Sequence, residues 1–358
     1  MKNAFEHLNV IEIASVLAGP SVGMFFAEMN AKVTKIENKK TGGDVTRSWK
    51  LASEGENENV SAYYASVNWN KKSIFMDFTI QEEMAALKNL IQEADVLIVN
   101  FKEGDAKKFG LTYEELKIMN PRLIYGEING FGEGNERVAY DLILQAETGF
   151  MSMNGTPNSG PVKMPVALID ILAGQQLRSG ILTALYERDA LHKGGVKVAV
   201  SLFDAAIAAL ANQATNWLMN HHIPERIGST HPNIAPYGEL FTTKDNIIVT
   251  FAIGSNKQFE NLCLTLDKKE LVNHPNFEDN QNRVENRLSL SSYLQEAVGQ
   301  FKAEELVNEL VELKVPVARI KNLKEVFDSA AAQELILEEK IGDLLTKRVK
   351  TSIFKINR

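Results

Sequence analysis

NVIEIASVLAGPSVGMFFAEMNAKVTKIEN, from Asn9 to Asn38, decides the fold class. NVIEIAS reads as a strand, PSVGMFFAEMN as a helix and AKVTKIEN as the next strand. The alternation continues downstream. KKSIFMDF (Lys71–Phe78) is strand-like, QEEMAALKNLIQEA (Gln81–Ala94) has helical spacing, and DVLIVNF (Asp95–Phe101) is a short buried strand. TYEELKIMN (Thr112–Asn120) then makes a helix before the strand-like RLIYGEING (Arg122–Gly130). Strands that alternate with helices predict an α/β fold with a doubly wound, Rossmann-like parallel sheet.

Further along, ILAGQQLRSGILTALYERDALHK is helical to about His192, where KGG stops it. VKVAVSLF returns as a strand and DAAIAALANQATNWLMNHH reads as one long helix. Pro224, Pro232 and Pro236 interrupt the periodicity after His221, which places a domain boundary there. GELFTTKDNIIVTFA reads as a hairpin around KDN, with helices to about Leu313. The expected organisation is a large Rossmann-like domain over residues 1–222, to which residues 313–358 return, and a small α/β domain over 225–312. VPVARI and KTSIFKINR are candidate strands returning to the large domain or edging it.

With 358 residues the chain exceeds the usual single-domain size. A net charge of -7 argues against broad nucleic-acid binding, which needs a basic face. No run of eighteen uncharged apolar residues predicts a membrane span. Glu6 and Glu12 interrupt the apolar N-terminus and only Lys2 adds positive charge, so it does not read as a signal peptide. The single cysteine, Cys263, has no disulfide or zinc partner and fits a reducing cytoplasm. FENLCLTL spaces it as a small core residue.

Several constellations are absent. There is no G-x-G-x-x-G after the first strand, no G-x-x-x-x-G-K and no H-E-x-x-H. No histidine falls between His7 and His192, so chemistry in the first half rests on carboxylates, tyrosine, lysine or backbone. His221 and His222 read as cations favoured near a helix C-terminus, and no metal site is expected. In MPVALIDILAGQQ (Met164–Gln176) the one charge, Asp170, falls where an apolar run becomes a helix. Asp170 reads either as an N-cap or as a carboxylate nucleophile tuned by apolar surroundings. Lys35, Lys39, Lys40, Lys71, Lys72, Lys102, Lys107 and Lys108 sit beside strand ends and read as phosphate-lining or as solvated surface.

Taken in order, VIEIASVLAGPSVGMFFAEMNAKVTKIEN, GGDVTRSW, NKKSIFMDF, ADVLIVNFKEGDAKKFGLTYEEL, NPRLIYGEINGFGE, AYDLILQAETGFM, MPVALIDILAG, KVAVSLFDAAI, HPNIAPYGELFTTKDN and VPVARI resemble the class III CoA transferases, relatives of α-methylacyl-CoA racemases. The resemblance implies that Asp170 is the nucleophile. It would attack an acyl-CoA to give a mixed anhydride and then an aspartyl-CoA thioester, which a second carboxylic acid reverses. It also implies that coenzyme A or acyl-CoA binds as substrate, with no tightly bound cofactor. Leu17, Ala18, Met76, Asp77, Asn100, Phe101, Lys108, Tyr140 and Asp141 match CoA-binding positions. Asn38 stands where arginine is common, and Lys39 is its substitute for phosphate contact. Leu17 replaces the glutamine of relatives acting on oxalate, so formyl or oxalyl chemistry is not expected. An interlocked homodimer is a further implication. The alternative is racemisation, which in the relatives uses a histidine-aspartate pair at the positions of Tyr140 and Asp141; tyrosine is a poor base near neutral pH. A non-catalytic CoA-binding protein is the third reading, and it would tolerate any small polar cap at position 170.

Overall fold

The structure, a computed structural model, describes residues 5–55 and 58–357. It divides into two compact units, Met1–Met151 with Lys163–Ile223 and Glu334–Arg358, and Ser152–Val162 with Pro224–Gln333. Along the chain to Asn220 the elements are β1 (Asn9–Ile13), α1 (Ala18–Glu28), β2 (Lys32–Asn38), α2 (Ala62–Ala65), β3 (Lys71–Met76), α3 (Gln81–Gln92), β4 (Val96–Val99), α4 (Asp105–Phe109) and α5 (Tyr113–Met119). They continue with β5 (Ile124–Asn129), α6 (Asp141–Glu147), α7 (Phe150–Met153), α8 (Leu168–Ala190), β6 (Val196–Ser201), α9 (Leu202–Ala208) and α10 (Ala211–Asn220).

The first unit is built on a six-stranded sheet of order β3-β2-β1-β4-β5-β6, parallel throughout. Its central strands are apolar on both faces because helices cover both. Val10, Val96, Ile98 and Ile124 pack with Phe25 and Phe26 of α1 and with Ile169, Ala173 and Leu177 of α8. The alternate residues Ile11, Leu97 and Tyr125 face the other way, onto Leu87 and Ile91 of α3 and Leu116 of α5. Chain order runs outward from β1 to β2 and β3 on one side, and from β4 to β6 on the other. A crevice therefore opens at the carboxyl ends of β1 and β4, where open α/β sheets take their ligands.

Two residues before α2 the chain meets its own distant end. The antiparallel hairpin β10 (Ile336–Ile341) and β11 (Leu344–Val349) packs Ile341 and Leu344 against Val60, Tyr64 and Ala65. Glu28, at the end of α1, accepts the N–H groups of Thr351 (2.8 Å) and Ser352 (2.6 Å).

The second unit carries the antiparallel sheet β7 (Tyr237–Thr242), β8 (Ile248–Ala252) and β9 (Val317–Arg319). Between β8 and β9 come α11 (Asn256–Thr265), α12 (Asn280–Glu285), α13 (Arg287–Val298) and α14 (Ala303–Glu312). Its core contains Phe241, Phe251, Phe259, Leu294 and the fully buried Cys263.

Four details differ from the sequence reading. VPVARI forms β9, whose pairing with β8 keeps the chain in the second unit until Gln333, beyond the expected return at 313. Residues 152–162, expected in the large domain, also join that unit, with Gly155 accepting the Gly228 N–H at 2.8 Å. The returning hairpin uses residues 336–349, and KTSIFKINR adds no strand among its described residues. The long helix expected over 204–222 is two helices, α9 and α10, because Ala211 takes a left-handed φ of 47° that breaks the helical ladder. Among the described residues, no helix is long and apolar enough to cross a membrane.

Candidate active site

Asp170 lies in the first turn of α8, whose N-cap is Ala167, so the N-cap reading of Asp170 does not hold. Ala167 offers no side-chain cap, and the donor that needs one is met from elsewhere. The Ile169 N–H donates to Asp141 Oδ1 at 2.8 Å, and Asp141 opens α6. Gln145, one turn along α6, donates to Asp141 Oδ2 (2.6 Å) and accepts the Met164 N–H (2.7 Å). The segment leading into α8 is thereby pinned at both ends by one face of α6.

With capping assigned to Asp141, the Asp170 carboxylate is left without a hydrogen-bond or ion-pair partner among the described residues. Asp170 is only 7% exposed. Burial pushes its pKa up to about 7, and the negative charge of Asp141 adds to the effect. A carboxylate in that range is poised to gain or lose its proton near neutrality. Tyr63 of α2 feels the same charges: burial, Asp170 and Asp141 push its phenol up to about 12.

Asp170 opens onto a cleft of about 750 Å³ at the switch point of the sheet. Ala18, Asn100, Phe101 and Tyr140 line the same cleft. Asn100 accepts the Ser15 N–H (3.0 Å) and donates to the Ser15 carbonyl (2.8 Å), tying the loop after β1 to the end of β4. Leu17 is the N-cap of α1, whose first turn has no side-chain cap. Asp141 stands behind Asp170 as its helix cap.

Asn38, Lys39, Met76 and Asp77 form a second group at the ends of β2 and β3, where Asn38 pairs with Met76. Asn38 Oδ1 is occupied by the Lys40 N–H at 2.9 Å, whereas Lys39 is exposed in the same turn. Asp77 accepts the Thr79 N–H and hydroxyl and lies 3.6 Å from Lys40. Lys108 is exposed on α4, its ammonium 5.3 Å from the Phe109 ring, and its neighbours Lys102 and Lys107 line the cleft in its place.

Two of the lysines read as phosphate-lining or as solvated surface are buried instead. Lys35 and Lys71 are withdrawn from solvent and bracket Glu12, with Nζ to carboxylate distances of 2.9 and 2.7 Å. Burial alone would lower the Lys35 pKa, but Glu12 and Asp44 outweigh it and hold it above the usual lysine range. Lys71, with less compensation, is brought down to about 8 by burial. The signal was present in the strands: Glu12 inside apolar β1 stands directly beside Lys35 inside β2. Sequence reasoning also passed over Lys197, a cleft residue on β6 that pairs with Glu127 of β5 at 2.7 Å and with Glu133.

Comparison with known proteins shows the family of the chain. The family model described as CoA-transferase family III matches residues 5–354. A succinate--glutarate CoA-transferase from Agrobacterium fabrum is 36% identical over 91% of this chain and 82% of its own. The human succinyl-CoA:glutarate CoA-transferase is 33% identical over 90% of this chain and 73% of its own. An acetyl-CoA:oxalate CoA-transferase from Acetobacter aceti is 32% identical over 94% and 86%. Among solved structures, a CaiB/BaiF family protein from Brucella suis superposes with a TM-score of 0.88 at 36% identity, covering 99% of this chain and 93% of that one.

The buried carboxylate sets a stability trend of known sign. A folded-state pKa raised from 3.8 to about 7 means that ionisation disfavours the fold: the penalty is absent below pH 4, grows as pH rises, and is complete above pH 7. Asp170→Asn removes it. Thermal denaturation is expected to show the variant melting above the parent at pH 8, with the gain shrinking toward pH 5. A gain independent of pH would contradict the assignment.

Proposed function

The chain belongs to CoA-transferase family III and is a CoA transferase, and on that premise we propose that Asp170 is its covalent nucleophile. The observation that carries this reading is the buried, unpartnered Asp170 carboxylate in the cleft at the switch point. An Asp170 oxygen attacks the thioester carbonyl, the C–S bond breaks, and CoA leaves as thiolate from an acyl-aspartyl anhydride. The thiolate then attacks the Asp170 carbonyl, releasing the donor acid and leaving an aspartyl-CoA thioester. The acceptor carboxylate attacks that thioester, and thiolate attack on the resulting anhydride gives the new acyl-CoA and free Asp170.

Each step exchanges one activated acyl group for another, so no large energy drop traps an intermediate. A carboxylate suits this role because it attacks as an anion and leaves as one. Oxyanion stabilisation is better matched to α1 than to α8: the Ile169 N–H is already committed to Asp141, whereas the first turn of α1 is uncapped and Ala18 lines the cleft. With both Asp141 oxygens engaged, the Tyr140–Asp141 pair holds the site rather than serving as a racemase base.

Coenzyme A enters this reading as substrate. Ala18, Asn100, Phe101 and Tyr140 would follow the pantetheine arm, and Lys102, Lys107 and Lys39 would meet phosphates. Leu17, Asn38, Met76, Asp77 and Lys108 complete the CoA positions implied by the family. The names of the relatives favour short dicarboxylic acids, with succinyl-CoA as donor. We place the enzyme in the cytoplasm, consistent with its buried Cys263, and assign it an interlocked homodimer. Leu218, Met219 and Ile223, 74%, 73% and 69% exposed, are apolar surface that a second copy would cover. Sedimentation equilibrium is expected to give twice the chain mass; a single-chain mass removes the dimer.

Two activity measurements test the mechanism. After mixing with succinyl-CoA, peptide mass spectrometry is expected to find CoA, or a hydroxamate after hydroxylamine, on the Asp170 peptide and none on Asp170→Asn; an active Asp170→Asn enzyme refutes the nucleophile. In the second, kcat/KM rises with pH through an acid limb near 7, because only the ionised carboxylate attacks. Asp141→Asn keeps an acceptor for the Ile169 N–H but removes the neighbouring charge, and should move the limb to lower pH.

A further inference from the structure

The loop between β1 and α1 is gripped from beneath by buried charges. Val16 takes a φ of 72°, a left-handed conformation that a β-branched residue adopts only when its surroundings impose it. Lys35 Nζ donates to the Ala14 carbonyl at 2.6 Å, Asp44 Oδ1 accepts the Val16 N–H at 3.2 Å, and Lys71 Nζ donates to the Pro20 carbonyl at 2.8 Å. Glu12 joins the two lysines, and Asp44 Oδ2 lies 3.0 Å from Lys35. Thr46 fixes the Asp44 carboxylate from the other side, its N–H and hydroxyl donating to Oδ1 at 3.1 and 2.8 Å.

A buried ion cluster contributes little net stability compared with apolar residues of the same volume. What this one supplies is direction. It passes under α1 only because residue 23 is glycine: a Cβ there would lie 1.8 Å from Glu12 Oε2. Above it, Val16 and Ala18 line the cleft with Asp170. The start of α1 also sits hard against α8, since a Cβ on Gly174 would lie 2.9 Å from the Ala18 carbonyl oxygen. A shift of the loop therefore moves the uncapped turn of α1 relative to Asp170.

We propose that Asp44 is a positioning residue for the transfer reaction: tied to Lys35, it holds the Val16 N–H, keeps Val16 left-handed, and so sets the Ser15–Ala18 backbone against Asp170. Asp44 is the charged group that reaches the strained residue itself. The inference rests on Asp170 as nucleophile.

The test compares parent, Asp44→Asn, Asp44→Asn with Val16→Gly, and Asp170→Asn enzymes, using succinyl-CoA and glutarate. Asparagine has one acceptor oxygen where Asp44 has two, so its amide cannot serve both Lys35 and the Val16 N–H. Asp44→Asn should therefore lower kcat about 100-fold while KM changes less than about threefold, the signature of a misplaced reacting group. Its acid limb should stay in place, because burial and Asp141, not Asp44, raise the Asp170 pKa. Adding Val16→Gly should recover about tenfold or more, because glycine adopts the left-handed conformation without restraint. Asp44→Asn with near-parent kcat, or without rescue by glycine, overturns the role. An active Asp170→Asn enzyme overturns the nucleophile reading instead. If Asp44→Asn does not fold, Val16→Gly alone decides: an unchanged or higher melting temperature supports imposed strain, and a drop of several degrees overturns it.

Discussion

The hydrogen bond from the Ile169 N–H to Asp141 is the contact on which the site turns. A helix start needs an acceptor, and an N-cap side chain is its usual source, which Ala167 does not provide. By supplying that acceptor from α6, the fold leaves Asp170 with no structural duty. A carboxylate that caps a helix is stabilised as an anion and made a poorer nucleophile. A carboxylate buried beside another negative charge is raised in energy, as Asp170 is. One acid stabilises the frame and the other is destabilised by it, and the separation of roles follows from a single backbone N–H.

The sheet beneath the site applies the same separation to lysine. Lys35 and Lys71 lie inside parallel strands, withdrawn from solvent, and their charges are met by Glu12 and Asp44. Lys39, Lys102 and Lys107 lie beyond the strand ends, exposed, and remain open to anions. Position relative to the strand, rather than residue type, divides the lysines into frame and surface.

That division explains what the sequence revealed and what it hid. The parallel sheet was legible because β1, α1 and β2 follow one another in thirty residues with two clear periodicities. Asp170 stood out because it is the one charge in a long apolar run. The helix cap was not legible, because Asp141 lies twenty-eight positions before the N–H it accepts, with the intervening chain passing through the other unit. Lys35 was misread because it begins the basic run KIENKK, although its register beside Glu12 places it inside the strand. The break between α9 and α10 left no mark, since alanine at position 211 favours helix continuation.

The return of the chain to its first unit has a consequence for the order of assembly. Glu28 receives a residue 323 positions further along, and Tyr64 is covered by the β10–β11 hairpin. The second unit's main segment, Pro224–Gln333, is continuous and emerges from the ribosome before that hairpin exists. Its core can close while Val60, Tyr64 and Ala65 are still bare. The first unit, begun earliest, is finished last, and until then the patch of Val60, Tyr64 and Ala65 is open for chaperones to hold.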